Sequence, residues 1–152
     1  LPIEQSQYGG AYVPEVVFGH MLSGTNFDDT EQRIVGGRNG LGAKLANIWS
    51  VKFVVHLCDG TKTYRQQFTQ NMKKVGKASV RDAKPGSTSY TKITVFPDFE
   101  KLGIADGKID ESMQQLFTRR VYDIAATTAC TVKFGTKRVA SHAGKVRQDG
   151  RA

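Results

Sequence analysis

The 152-residue sequence predicts an α+β fold, a two-layer α/β sandwich whose mixed or antiparallel sheet carries helices on one face. Apolar residues alternate with polar ones from Val51 to Leu57, and Asp59-Gly60 follows, which predicts a strand that ends in a hairpin turn. Apolar residues at helical spacing after Asp110 predict a long amphipathic helix. Helices and hairpins do not alternate as regular β-α-β units, which argues against a parallel sheet.

The other elements follow from local signals along the chain. Pro14 occupies a favourable first helical position, and Gly24 can end that helix. A second helix is expected after Gly42. Further strands are expected over residues 62–69, 90–96 and 131–134, the last turning at Gly135-Thr136 into a short continuation through Val139. A basic, turn-rich surface excursion is expected over residues 71–89. The stripe after Asp110 is predicted to be core packing and comprises Met113, Leu116, Phe117, Val121 and Ile124.

The composition is that of a globular protein. Hydrophobic residues make up 39% and charged residues 24% of the chain. No apolar run approaches the roughly 20 residues of a membrane span, and no signal-peptide pattern opens the chain, so we expect an intracellular protein without membrane contact. Cys58 and Cys130 are expected to be buried thiols within strands. The net charge of +8 is compatible with a polyanionic partner, although the lysines are scattered.

The most distinctive segment is a glycine-rich stretch, residues 36–44, that leads into a predicted helix. Its glycines leave the backbone free to curl around an anion, the helix N-terminus directs unpaired amides at that anion, and Lys44 adds a positive charge. The P-loop is excluded because Ala43 separates the lysine from the last glycine and Leu45 stands where a metal-binding hydroxyl is needed. The dinucleotide fingerprint is excluded because its third glycine is missing. The pattern therefore predicts a phosphate cradle or, alternatively, a flexible surface connection.

Several spaced motifs resemble, in the same order, the ATPase region of eukaryotic-type DNA topoisomerase II. They are Tyr12-Val13-Pro14-Glu15-Val16-Val17-Phe18-Gly19-His20, Asn26-Phe27-Asp28-Asp29, the glycine-rich stretch with its continuation through Ile48, Asn71-Met72, Phe96-Pro97-Asp98 and Arg119-Arg120-Val121-Tyr122-Asp123-Ile124-Ala125. The resemblance covers roughly residues 1–139. Two positions depart from the family's pattern. Gly24 stands where a serine is usual and Leu41 where a tyrosine is usual, which removes one hydroxyl contact and one ring contact.

The resemblance implies the GHKL (Bergerat) fold and an ATP-hydrolysing DNA topoisomerase, in which ATP binding and hydrolysis drive closure of a dimer gate and passage of duplex DNA. The implied ATP-binding residues are Ser23, Thr25, Asn26, Arg38, Asn39, Gly40, Leu41, Gly42 and Lys44. It also implies that the catalytic glutamate and the asparagine that binds Mg²⁺ lie upstream of Leu1. We therefore expect a partial domain that contains no catalytic or metal-binding residue and is inactive alone.

The resemblance also sets expectations for partners, location and boundaries. The implied partners are ATP, Mg²⁺, duplex DNA and, in the full-length protein, a second copy that forms a homodimer. A nuclear location is expected, with an organellar one also open. The domain is expected to span residues 1–140, followed by a disordered basic tail over residues 141–152. Two alternatives remain: an ATP-gated module of another GHKL branch (gyrase B-, Hsp90- or MutL-like), and a basic nucleic-acid-binding domain without a nucleotide role.

Overall fold

A computed structural model of the chain describes residues 1–7, 9–21, 23 and 39–139. The fold is mixed α+β with an antiparallel sheet, as the sequence predicts. The chain divides into two compact units, Leu1–Ala105 and Asp106–Ala152. The predicted boundary at residue 140 stays a prediction, and the predicted tail lies outside the described residues. Among the described helices, none is both long and apolar enough to cross a membrane.

The first unit contains two short helices and one sheet. The helices are α1 (Val13–Gly19) and α2 (Gly42–Ile48), and the strands are β1 (Ser50–Cys58), β2 (Lys62–Thr69), β3 (Lys74–Val75), β4 (Ser79–Asp82) and β5 (Tyr90–Pro97). All pairings are antiparallel, in the order β3-β2-β1-β5, with β4 also paired to β2. The hairpin predicted at Asp59-Gly60 is confirmed, because Asp59 N–H donates to the Lys62 carbonyl at 3.1 Å and Gly60 adopts φ +101°.

The core of this unit lies on one face of the sheet, where strand alternation gathers the apolar side chains. Its buried members are Ile3, Phe18, Phe53, Val55, Leu57, Tyr64 and Phe68. Helix α1 contributes Phe18, whose ring centroid lies 6.3 Å from that of Phe53. The helix ends at Gly19, not at the predicted Gly24. A Cβ on Gly19 would lie 3.0 Å from the Phe68 ring, so a larger residue would require that ring to shift by a few tenths of an ångström.

The second unit contains helix α3 (Glu111–Thr127) and a hairpin of β6 (Val132–Phe134) and β7 (Lys137–Val139). The predicted cap is confirmed, because the Asp110 carboxylate accepts a hydrogen bond from Met113 N–H at 2.7 Å. The prediction that the apolar stripe of this helix is core packing is wrong for the described structure. Leu116 and Ile124 are each 52% exposed, and Ala125 is the residue of the helix that is buried.

Two further predictions are corrected. Residues 71–89 are not a simple surface excursion, because β3 and β4 lie within them and extend the sheet along β2. These strands have only two and four residues, which is too short for an alternation pattern to predict. Cys58 is buried as expected, whereas Cys130 precedes β6 and is exposed.

Candidate functional site

Helix α2 begins at Gly42, within the glycine-rich stretch, and buries a lysine. Only 3% of Lys44 is exposed. Its Nζ donates to Ser23 Oγ at 2.8 Å, and Ser23 Oγ donates to the Val16 carbonyl at 3.0 Å, which fixes the hydroxyl with a lone pair towards the ammonium. Burial lowers the pKa of Lys44 because the charged form loses hydration. The hydrogen-bond partner that the described residues give this cation is neutral, so its charge is available to an anion.

Asn47 is the second polar residue that α2 buries, at 1% exposure. Its Nδ2 donates to the Phe18 carbonyl at 3.2 Å, which ties α2 to α1, while its Oδ1 has no hydrogen-bond partner within the described part of the chain. Helical spacing predicts that Leu45, Ile48 and Trp49 share an apolar face, yet Leu45 is 45% and Trp49 40% exposed. Helix α2 therefore packs through Ala43, which contacts the hydrophobic core, and through the buried Lys44 and Asn47. The available signal was the three-residue spacing from Lys44 to Asn47, which places both on one face.

The described part of the glycine-rich stretch forms the N-terminal approach to α2. Gly40 adopts φ +59°, a left-handed conformation that favours glycine. The Leu41 carbonyl accepts from Leu45 N–H at 2.9 Å, and the Leu41 side chain provides no cap. The first amides of the helix consequently have no intrahelical partner. An added Cβ on Gly42 would meet no atom within 4 Å, so open space borders the backbone at this position.

The structure brings together some of the predicted ATP-binding residues. Ser23 contacts Lys44 directly, and four others precede Lys44 on the same loop and first turn: Asn39, Gly40, Leu41 and Gly42. Thr25, Asn26 and Arg38 lie outside the described residues, so their predicted roles remain predictions. Within the described ranges, no group of three His, Cys, Asp or Glu side chains could hold a metal ion.

The chemistry available to this arrangement is anion binding. The described residues supply one buried ammonium, one oriented hydroxyl, and unpaired backbone amides beside open space. The ammonium and the amides donate hydrogen bonds and positive charge, which suit phosphate oxygens, while the hydroxyl donates to the Val16 carbonyl and holds the ammonium. The site is therefore suited to hold a phosphate group rather than to activate a nucleophile.

The chain is similar to type II topoisomerases. It is 43% identical over 141 residues to DNA topoisomerase 2 of Penicillium chrysogenum, a match of 91% of this chain and 9% of that protein. It is 41% identical over 142 residues to the mitochondrial DNA topoisomerase 2 of Dictyostelium discoideum, covering 91% of this chain and 11% of that protein. No protein-family model matches the chain.

Solved structures show the same relationship. The ATPase region of Saccharomyces cerevisiae topoisomerase II, determined with ICRF-187 (dexrazoxane) bound, superposes with a TM-score of 0.84 at 34% identity. The match covers 96% of this chain and 39% of the yeast chain. The present chain thus spans about a tenth of the curated relatives and less than half of the ATPase region.

Proposed function

Because the chain is homologous to the ATPase region of eukaryotic DNA topoisomerase II, we propose that it forms the phosphate-binding part of an ATP site. The observation that carries this proposal is the buried Lys44, held by a neutral hydroxyl beside an open, glycine-rich helix start. A buried cation of this kind is costly to the fold and is retained where it meets an anion. ATP supplies that anion in its triphosphate.

The proposed division of roles follows the geometry of the described residues. Lys44 pairs with the charge of the triphosphate, and Ser23 orients the ammonium. Phosphate oxygens receive hydrogen bonds from the backbone amides of Asn39, Gly40, Leu41 and Gly42. Because these contacts use the backbone, the replacement of the family's tyrosine by Leu41 leaves them intact. Thr25, Asn26 and Arg38 complete the proposed set.

The wider context is also part of the proposal. Residues 1–140 form part of a two-layer GHKL domain with helices on one face, and residues 141–152 form a basic tail. The whole protein is an ATP-hydrolysing type II DNA topoisomerase that acts as a homodimer on duplex DNA, in the nucleus or in an organelle. Mg²⁺ accompanies the nucleotide. The described acidic residues offer no three-ligand site for it, so no role in metal binding is assigned to them.

The test compares two substitutions in the full-length protein. Lys44→Ala removes the charge and is expected to abolish ATP-dependent strand passage while DNA binding stays largely intact. Gly42→Ala places a methyl group in the open space and is expected to weaken binding of a non-hydrolysable ATP analogue at least tenfold. It should leave the fold undisturbed, because the methyl meets no protein atom and alanine is the better helix former by about 1 kcal/mol.

Lys77→Ala is the matched control, since this lysine is exposed and lies in the connection between β3 and β4. The control should bind the analogue and pass strands as the unmodified protein does. Retained strand passage in Lys44→Ala would contradict the role of Lys44. Unchanged analogue binding in Gly42→Ala would show that no phosphate approaches this part of the loop.

A further inference from the structure

The sheet of the first unit has a second face, opposite the core. Strand alternation places Phe53, Val55 and Leu57 on the core face with Phe18 of α1, so the intervening residues of β1 point the other way. Among the elements described for this unit, neither helix contributes to this opposite face. We refer to it as the helix-free face, and it is formed by alternate residues of β4, β2, β1 and β5.

Basic side chains lie in a row across the helix-free face. His56 of β1 is directly opposite Arg65 of β2 on one side and Lys92 of β5 on the other. Strands are spaced by about 4.8 Å, so Arg65 and Lys92 stand about 10 Å apart with His56 between them. On the next strand Arg81 is opposite Thr63, the residue two positions before Arg65. Arg65, Arg81 and Lys92 are all exposed.

A cleft lies at one end of this row. Its volume is about 270 Å³, and its lining includes His56, Thr63, Arg65, Ser79 and Arg81. Two guanidinium groups and the Ser79 hydroxyl in one concavity match the oxygens of a phosphodiester, while the Thr63 hydroxyl donates to the Arg81 carbonyl at 3.3 Å. The described strand residues that alternate onto this face include no Asp or Glu. Asp82 is opposite Lys62, which alternates to the core side, and Asp59 is held in the hairpin turn by Thr61 and Lys62.

The aromatic rings on this face indicate which nucleic acid fits. Single strands are bound by bases stacking on free aromatic faces. Here the Tyr90 ring stands perpendicular to His56 at 5.5 Å and its hydroxyl lies 3.2 Å from His56 Nε2, while Lys52 Nζ lies 5.4 Å from the centroid of the Phe96 ring. Each ring has one contact within the protein, a histidine at Tyr90 and an ammonium at Phe96, yet Tyr90 remains 42% and Phe96 46% exposed. The face is therefore distinguished by its charge, and comparison with a single strand tests whether bases also stack on these rings.

From these observations we infer that the helix-free face binds duplex DNA through its phosphate backbone. Duplex DNA carries one negative charge per roughly 1.7 Å of axis, so a row about 10 Å long meets several phosphates. Binding of this kind is independent of base sequence. It is also separate from the proposed ATP site, because it involves neither Lys44 nor the glycine-rich stretch.

The test is a fluorescence-anisotropy titration of the 152-residue chain with a duplex of about 30 bp, without nucleotide, between about 50 and 200 mM salt. Each phosphate contact contributes about 0.9 to the slope of log affinity against log salt. Arg65→Ala/Arg81→Ala is therefore expected to reduce the steepness of that slope by about 2, and Lys92→Ala by about 1. Arg65→Lys/Arg81→Lys, which keeps both charges, is expected to retain the slope.

Lys77→Ala/Lys108→Ala is the matched control because it removes the same charge from exposed positions outside the helix-free face. It should keep the original slope, and circular dichroism should show that each variant is folded. If the control lowers the salt slope as much as Arg65→Ala/Arg81→Ala does, net charge alone explains the effect and the inference is overturned. An unchanged slope in both Arg65→Ala/Arg81→Ala and Lys92→Ala would also overturn it. Tighter binding of a single strand of equal charge would overturn the assignment of duplex DNA.

Discussion

At the scale of single residues, the buried charge of Lys44 serves nucleotide binding but lowers the stability of the fold. Burial disfavours its charged form, which lowers its pKa, and the hydrogen bond to Ser23 offsets only part of the lost hydration. Methionine has a similar length without the charge, and Ser23 Oγ would still donate to the Val16 carbonyl. Lys44→Met is therefore expected to raise the free energy of unfolding by about 1 kcal/mol while abolishing nucleotide binding.

The pH dependence of the stability difference between Lys44→Met and the unmodified protein identifies the cause of that difference. A lysine with a lowered pKa releases its proton in the folded state before the unfolded state does. The burial penalty on Lys44 therefore disappears as the pH rises through the lowered pKa towards the usual value of about 10.4. Urea denaturation at pH 7 and about pH 9.5 should show the advantage of Lys44→Met shrinking at the higher pH. A constant advantage would mean that packing, and not charge, explains the gain.

At the scale of elements, the turn after β2 is held in an unusual conformation. Gln70, Asn71 and Met72 adopt φ of 56°, 56° and 68°, although none is glycine. Asn71 stabilises the turn through its Nδ2, which donates to Asp98 Oδ2 at 2.8 Å, while Gln70 is exposed. The left-handed conformation costs about 1–2 kcal/mol per residue, more than the 0.5–1 kcal/mol entropic cost of glycine. Gln70→Gly should raise the free energy of unfolding by about 0.5 kcal/mol in urea denaturation.

Gln70→Val provides the opposite change at the same exposed site. A β-branched side chain tolerates a positive φ poorly, so this variant is expected to lose about 1 kcal/mol of stability. Equal stability of the two variants would show that the turn relaxes to ordinary φ values in solution.

The elements also show what local sequence can predict. The β1–β2 hairpin was predictable because alternation and Asp59-Gly60 act over a few residues. The strands β3 and β4 were missed, since so few residues form them and pairing with β2 defines them. In the site, Lys44 and the glycine loop carried a recognisable pattern. For Asn47 the spacing from Lys44 indicates a shared helix face but not its burial, because a buried amide on a short helix resembles a solvated one until its partner, the Phe18 carbonyl, is known.

At the scale of the whole molecule, part of the core face remains uncovered. Ile93 and Val95 of β5 lie opposite Val55 and Phe53, both 1% exposed, yet they are 37% and 41% exposed themselves. Strand β5 also ends the strand order, so its outer edge is unpaired among the described strands. Periodicity predicts which face of an element is apolar but not what covers it, which also explains the wrong prediction for the α3 stripe. The yeast ATPase region is more than twice as long as the part that this chain matches.

Exposed apolar surface beside an open strand edge predicts self-association of the 152-residue chain, measurable by light scattering as an apparent mass that rises with concentration. Val95→Lys should reduce that rise, because it removes apolar surface and adds an edge charge. Thr91→Lys is the matched control, since Thr91 lies on the same face of β5, opposite Leu57, and adds the same charge while removing no large apolar side chain. If Val95→Lys and Thr91→Lys reduce the rise in apparent mass equally, the strand edge and not the apolar surface causes the association. If the unmodified chain is a monomer at every concentration, this surface drives no association.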